Sequence, residues 1–241
     1  DQDTTVTIAV DAVSSDDTYD PLADQTVTVT TVDDDTTGYT LSAAAVTVAE
    51  AGSTDSFTVV LDSEPTADVV FDISSADTGE ATVSPSTLTF TTANWDDAQT
   101  IVVAGVDDDG DDDDQDTTVT LSVNAAATSD SLYDALADQT VTATTTDDDE
   151  TGYTHEVTAL IVDETGSTDS FTVVLDSEPF SPVVISVSSL DEGEVTVSPA
   201  TLTFTSSNWS TPQSVTVASV DDSIDDGSQG TTITLSVDAS S

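Results

Sequence analysis

The stretch Gly52-Ser-Thr-Asp-Ser-Phe-Thr-Val-Val-Leu-Asp-Ser-Glu-Pro65 occurs a second time, unchanged, as Gly166 to Pro179. Its centre is rich in β-branched residues, is as long as a strand, and is bounded by Gly and Pro, so it reads as a β-strand followed by a turn. The offset of 114 extends outward from it. It links Thr37-Gly-Tyr39 with Thr151-Gly-Tyr153, Val83-Ser-Pro85 with Val197-Ser-Pro199, and Asn94-Trp95 with Asn208-Trp209. Gln115-Asp-Thr-Thr recurs as Gln229-Gly-Thr-Thr, and the opening Gln2-Asp-Thr-Thr matches Gln115 at 113. Thr26-Val-Thr-Val-Thr-Thr, Thr87-Leu-Thr-Phe-Thr and Gln99-Thr-Ile-Val-Val-Ala add further strand-like runs bounded by turn residues, and no stretch sustains a helical period. The expectation is an all-β chain of tandem antiparallel β-sandwiches of the immunoglobulin-like kind, one sandwich per 114-residue repeat.

The phase of the repeat divides the chain. Residues 1–36 match the closing strands of a unit, residues 37–149 make a complete unit, and residues 150–241 make a second that stops before its last strand. Expected strands near the two ends include Thr4–Val10, Gln25–Val32 and Thr231–Val237. Two explanations compete. Strand Gln25–Val32 could complete the sandwich of a neighbouring subunit by donor-strand pairing, or the sequence could be a window on a longer tandem array. The N-terminal segment also duplicates the strand at Thr231–Val237, and that redundancy favours the window.

Composition excludes several classes of function. There are 49 acidic side chains, 40 of them Asp, with no Lys and no Arg, for a formal net charge of −49. Binding to a nucleic-acid backbone or an anionic membrane surface has no cation to use. Without Lys there is no Schiff base or Lys–Asn isopeptide staple, and without Cys there is no disulfide, thiolate nucleophile or zinc–thiolate site. No apolar run approaches the ~20 residues of a membrane-spanning helix, so direct membrane insertion is not expected. No signal peptide opens the sequence, and an export signal is expected outside this window.

Several motifs of one unit, taken in order, carry a family resemblance. They are Val46-Thr-Val-Ala-Glu50 with its partner Ile161-Val-Asp-Glu164, Phe57-Thr-Val-Val-Leu-Asp-Ser-Glu-Pro65, and Leu88-Thr-Phe-Thr followed by Trp95. Thr100-Ile-Val-Val-Ala-Gly-Val-Asp-Asp-Asp109, Thr118–Val123 and the closing Val141-Thr-Ala-Thr-Thr-Thr-Asp-Asp-Asp149 complete the set. This order resembles the Calx-beta domain family, the calcium-binding β-sandwich of sodium–calcium exchangers and of many large surface proteins. The resemblance implies calcium as the bound ion. The family's Gly-x-Asp-Tyr element between the middle strands is replaced by Asp77-Thr-Gly-Glu80 and Asp191-Glu-Gly-Glu194, and the mid-domain loop is left out of the expected ligand set.

Calcium takes six to eight oxygen ligands on sharply bending loops, and short Asp side chains suit that geometry. The expected ligands in the first unit are Glu50 together with Asp107, Asp108, Asp109, Asp111 and Asp113. The triplets Asp33, Asp34, Asp35 and Asp147, Asp148, Asp149 stand before the Thr-Gly-Tyr junctions. In the second unit the candidates are Glu164, Asp221, Asp222, Asp225 and Asp226. The competing view is a charge run that keeps a surface solvated. The loop from Asp107 is not an EF-hand, because neither the turn Gly nor the closing Glu falls in place. Asn208-Trp-Ser210 is a weak glycosylation sequon. Trp95 and Trp209 recur in phase and are expected to pack in or near the core. His155, the sole imidazole, has no Ser or Cys partner pattern and is expected on the surface.

These features favour a non-enzymatic, extracellular structural protein of the cell surface. It would be a calcium-stiffened array acting as adhesin stalk or filament body, with neighbouring repeats or copies of itself as partners. Two alternatives stay open. One is a halophile envelope or S-layer protein whose acidity is general salt adaptation, and the other is a calcium-dependent sugar-binding adhesive domain.

Overall fold

The computed structural model describes residues 1–225 and 227–238, and every regular element among them is a β-strand. The first two, β1 (Gln2–Ile8) and β2 (Gln25–Thr31), form a hairpin whose every strand position is exposed. Nine strands follow: β3 (Tyr39–Leu41), β4 (Ala45–Ala49), β5 (Thr54–Leu61), β6 (Val69–Ser75), β7 (Ala81–Ser84), β8 (Thr87–Phe90), β9 (Gln99–Gly105), β10 (Gln115–Val123) and β11 (Gln139–Thr146). They build two sheets, ordered β4-β11-β10-β6-β8 and β3-β5-β9-β7. All neighbours are antiparallel except β4 and β11, which run parallel.

Strict alternation decides which face of each strand meets the core. In β5, Phe57, Val59 and Leu61 are buried, and in β10, Thr117, Val119 and Leu121 are buried, with hydroxyl-rich positions between them turned outward. The two inner faces meet in one cluster centred on Phe57, Phe71, Phe90 and Tyr39. The Tyr39 and Phe71 rings lie 4.8 Å apart at 65°, and Phe71 and Phe90 lie 6.0 Å apart at 88°, both edge-to-face. Each such buried ring stabilises the fold by about 1.5–3 kcal/mol. The Tyr39 hydroxyl donates to the carbonyls of Leu121 (3.2 Å) and Ala137 (3.1 Å), which ties β3 to the far sheet.

A second pair of sheets uses β12 (Tyr153–His155), β13 (Thr168–Leu175), β14 (Val183–Ser189), β15 (Val195–Ser198), β16 (Thr201–Phe204), β17 (Gln213–Ser219) and β18 (Ile233–Val237). Their orders are β12-β13-β17-β15 and β16-β14-β18, around a core of Phe171, Val173, Ile185, Phe204 and Val215 among others. Registers repeat with the sequence: Phe57 faces Ile101, and Phe171 faces Val215. The peptide bonds Ser84–Pro85 and Ser198–Pro199 are both cis. Trp95 and Trp209 are partly buried against their respective cores. The architecture is thus an all-β, multi-sheet sandwich fold consistent with tandem immunoglobulin-like domains.

The glycine of each Thr-Gly-Tyr motif has a local cause. A Cβ on Gly38 would crowd Asp62 Oδ2, and one on Gly152 would crowd Asp176 Oδ2. Each Asp instead accepts a hydrogen bond from the Thr after the motif, Thr40 (2.7 Å) or Thr154 (2.8 Å).

The hairpin strands are Gln2–Ile8 and Gln25–Thr31, and the last strand starts at Ile233, shifts of one to two residues at most ends. More substantial is the segment 159–163, which lies at the offset of β4 but forms no strand. β4 is held by parallel pairing with β11, and no strand at the β11 position exists among the described residues of the second sandwich.

Candidate metal centre

Four chain segments converge at one end of the first sandwich. β4 and β11 run parallel and end together, so Glu50 and Asp147 leave the sheet side by side, with the Glu50 amide donating to the Thr146 carbonyl at 3.1 Å. Glu80 ends the turn before β7. Asp77 Oδ1 accepts from the Gly79 amide (2.9 Å), and the Val106 amide donates to the Glu80 carbonyl (2.9 Å). That last bond places Glu80 at the root of the loop 107–114. The loop is held in turn by Asp147 Oδ2, which accepts from the amides of Asp112 (3.0 Å) and Asp113 (2.9 Å). Asp113 adopts φ 64, the left-handed turn conformation that Asp tolerates better than most residues.

These segments bring carboxylates together in two groups, Glu50 with Asp108 and Asp149, and Glu80 with Asp108 and Asp112. Within each group the nearest oxygens all lie within 4.8 Å of one another. Glu50 is 1 % exposed, and its Oε2 has no hydrogen-bond partner. Glu80 Oε2 and Asp112 Oδ1 are likewise buried and unpartnered. Burial, then the charges of Asp108, Asp147, Asp112 and Glu80, push the Glu50 carboxyl up to about 7. Burial first, and neighbouring carboxylates second, also raise Glu80, Asp112 and Asp149 above the usual range. With no Lys or Arg in the chain, no side-chain ammonium or guanidinium can offset this crowding.

The donor set fits a hard divalent cation. Oxygens bound to calcium at 2.3–2.6 Å can stand no more than about 4.6–5.2 Å apart, and the oxygens of each group, all within 4.8 Å of one another, are close enough to share one ion. The groups share Asp108, and their unpartnered oxygens are acceptors that no protein donor satisfies.

The other expected ligands are placed differently. Asp107 and Asp148 are exposed and belong to neither group. Asp109 is exposed, and its carbonyl accepts from the Glu178 amide at 2.6 Å. Asp111 Oδ2 accepts from the Thr151 hydroxyl (2.5 Å) and amide (2.6 Å), and the hydroxyl, then the amide, hold its carboxyl below the usual range. Asp147 shapes the loop, and Asp113 lines a shallow acidic depression with Asp111, Asp114, Asp147 and Asp149. Asp33, Asp34 and Asp35 form a third close group, fully exposed, after β2. Glu164, Asp221, Asp222 and Asp225 are exposed and join no such group among the described residues, while Asp226 lies outside the described residues. Asn208 has both amide atoms engaged locally: Oδ1 accepts from the Thr205 amide (2.6 Å), and Nδ2 donates to the Thr203 carbonyl (3.2 Å).

Sequence reasoning passed over Glu80 and Asp112. The available signal for Glu80 was the recurrence of Gly-Glu at 193–194, in phase with Gly79-Glu80. For Asp112, no local feature separates it from its Asp neighbours. Among the described residues no catalytic constellation is assembled. His155 is exposed, and its Nδ1 lies 2.9 Å from the Val157 carbonyl oxygen.

No protein-family model matches the sequence, and no curated protein matches it. Among solved structures, the chain is similar to SSP-19, an MSP-domain protein-like family member of Caenorhabditis elegans, at 17% identity and TM-score 0.33, over 45% of this chain and 99% of that one. It is similar to CBD12 from CALX1.2 at 13% identity and TM-score 0.36, over 82% of this chain and 79% of that one. A third likeness is to domains 1–6 of the surface layer protein SbsC, at 18% identity and TM-score 0.34, over 81% of this chain and 23% of that one. The similarity is weak, is one of β-sandwich architecture, and picks out no single family.

Proposed function

We propose that this chain is a non-enzymatic, extracellular structural protein, an array of 114-residue Calx-beta-like sandwiches whose acidic ends bind calcium and stiffen it as an adhesin stalk or filament body. The observation that carries this reading is that Glu50, Glu80 and Asp112 each bury an unpartnered carboxylate oxygen and belong to two close carboxylate groups, Glu50 with Asp108 and Asp149, and Glu80 and Asp112 with Asp108. Glu50, Asp108 and Asp149 would hold one cation and Glu80, Asp108 and Asp112 another, and the bound charge would offset the burial and mutual repulsion of these carboxylates.

The position of the site supports a mechanical role. The loop that carries Asp108 and Asp112 also meets residues of the next sandwich. Asp111 accepts from Thr151, the Asp109 carbonyl accepts from Glu178, and Gly110 lies against the Phe180 ring. A cation that fixes this loop also fixes the surface against which the second sandwich rests. Nearly identical units extend reach without adding a new chemistry, as in other repeat architectures.

Thermal unfolding at fixed ionic strength, with calcium, with magnesium and after removal of metal, tests the reading. A calcium-specific rise in melting temperature is expected. Equal protection by any salt would remove the specific site and leave an acidic envelope protein adapted to high salt as the better account.

A further inference from the structure

The two copies of the repeated stretch are identical over Gly52 to Pro65 and Gly166 to Pro179, and they part at the very next residue. In the first sandwich that residue is Thr66, whose amide (2.6 Å) and hydroxyl (2.9 Å) donate to Asp130 Oδ2 of the same sandwich. In the second it is Phe180, whose ring is 76% exposed. An exposed apolar side chain alone means little. This one lies against Gly110 of the first sandwich, beside the Glu178 amide that donates to the Asp109 carbonyl at 2.6 Å.

Gly110 is buried, although Asp107, Asp108 and Asp109 before it are exposed. A Cβ there would stand 2.9 Å from Phe180 Cζ and 3.4 Å from Cε1. The offset of 114 carries Gly110 onto Ile224, and the two loops turn alike. The Gly110 amide donates to Asp108 Oδ1 at 2.8 Å, and the Ile224 amide donates to Asp222 Oδ1 at 2.7 Å. Gly110 is not held at positive φ, so its backbone does not call for glycine. Ile224 shows that the same turn accepts a branched side chain, which there is 66% exposed. What glycine supplies at 110 is room for the ring.

We propose that Phe180 and Gly110 form a keyed pair: the ring of the second sandwich seats on the glycine of the loop 107–114, sets the angle between the sandwiches, and decides which unit can follow which. Phe180, the Glu178 amide and Thr151 meet Gly110, Asp109 and Asp111, three successive residues of that loop. Hydrogen bonds at an exposed junction are readily traded for water, and an apolar contact beside them opposes that opening. A loop with Ile in this place has no seat for an aromatic ring. Specificity then comes from exclusion as well as from contact. Near-identical neighbours are prone to assemble wrongly, and a keyed junction opposes it. The contact is made by protein atoms alone, so it holds or fails apart from the calcium reading.

Amide hydrogen exchange of the full chain after metal removal reads the junction through the Glu178 and Thr151 amides. Phe180→Thr and Gly110→Ile each install the residue that the other unit carries at that position. Each is expected to speed exchange at both reporters roughly fivefold or more, with the core amides of Val173 and Val215 unchanged. The double variant is expected to exchange no faster than either single one, because both remove the same contact. Phe180→Tyr keeps the ring and is expected to keep the protection. Gly110→Ala, which adds only a Cβ, is expected to act in the same direction as Gly110→Ile and guards against a loop disturbed by the larger side chain. Native protection in Phe180→Thr, effects that multiply in the double variant, or protection lost in Phe180→Tyr would each overturn the pair. A calcium-specific rise in melting temperature alongside native protection in Phe180→Thr upholds the calcium reading and overturns the pair alone. Lost protection in Phe180→Thr without any calcium-specific rise does the reverse.

Discussion

Asp108 belongs to both carboxylate groups, so removing its charge should act on both at once. With calcium a hundredfold above its dissociation constant, a bound site stabilises by about 2.7 kcal/mol. We expect Asp108→Asn to lose most of that stabilisation in calcium melts and to match or exceed the native chain after metal removal, because one repelling charge is gone. Glu50 yields a pH prediction with a definite sign. Its carboxyl in the folded state is raised to about 7 from 4.5, so the folded state binds more protons than the unfolded state between those values. Without metal, that contribution to stability is complete below pH 4.5 and is lost as pH rises through 7. With calcium the slope should reverse over the same window, since protons and metal compete for one carboxylate. Melting temperatures from pH 4.5 to 8, with and without calcium, check this; parallel slopes would contradict it. Glu80 shows where reading residues in sequence stops. Its turn was visible, but its proximity to Asp108 depends on the hydrogen bond from Val106 to the Glu80 carbonyl, a contact between segments far apart in the chain.

Strands were legible because they are local. Alternation in β5, β10 and β17 and the Gly and Pro residues around them fixed where each strand lies and which face it buries. The segment 159–163 was not legible in the same way. It has the same pattern as β4, but a parallel edge strand exists only when its partner does, and pairing is not a local property. Amide hydrogen exchange should therefore separate the two equivalents. Residues 45–49 are expected to exchange at least tenfold more slowly than residues 159–163, and similar rates would contradict the assignment. Within the first core, Phe71 touches both Tyr39 and Phe90. Phe71→Ala should cost about 3–5 kcal/mol, read from chemical denaturation, because the cavity lies between two sheets that cannot easily close on it.

Across the whole molecule, a formal charge of −49 opposes compaction, and no Lys or Arg relieves it. That balance was plain from composition, as was the division of acid into loops. Less plain was that one acidic loop both gathers buried carboxylates and contacts the following sandwich through Asp109, Gly110 and Asp111. Calcium is thus expected to act on shape as well as stability. Small-angle scattering at constant ionic strength should show the spread of inter-sandwich distances narrowing on calcium addition and not on magnesium addition.

Calorimetric titration of calcium into the metal-free chain at fixed ionic strength tests the central claim most directly, with Asp108→Asn titrated alongside. The account predicts saturable calcium binding in which two equivalents vanish in the variant, with no matching signal from magnesium. Featureless heats, or identical isotherms for the two chains, would contradict it.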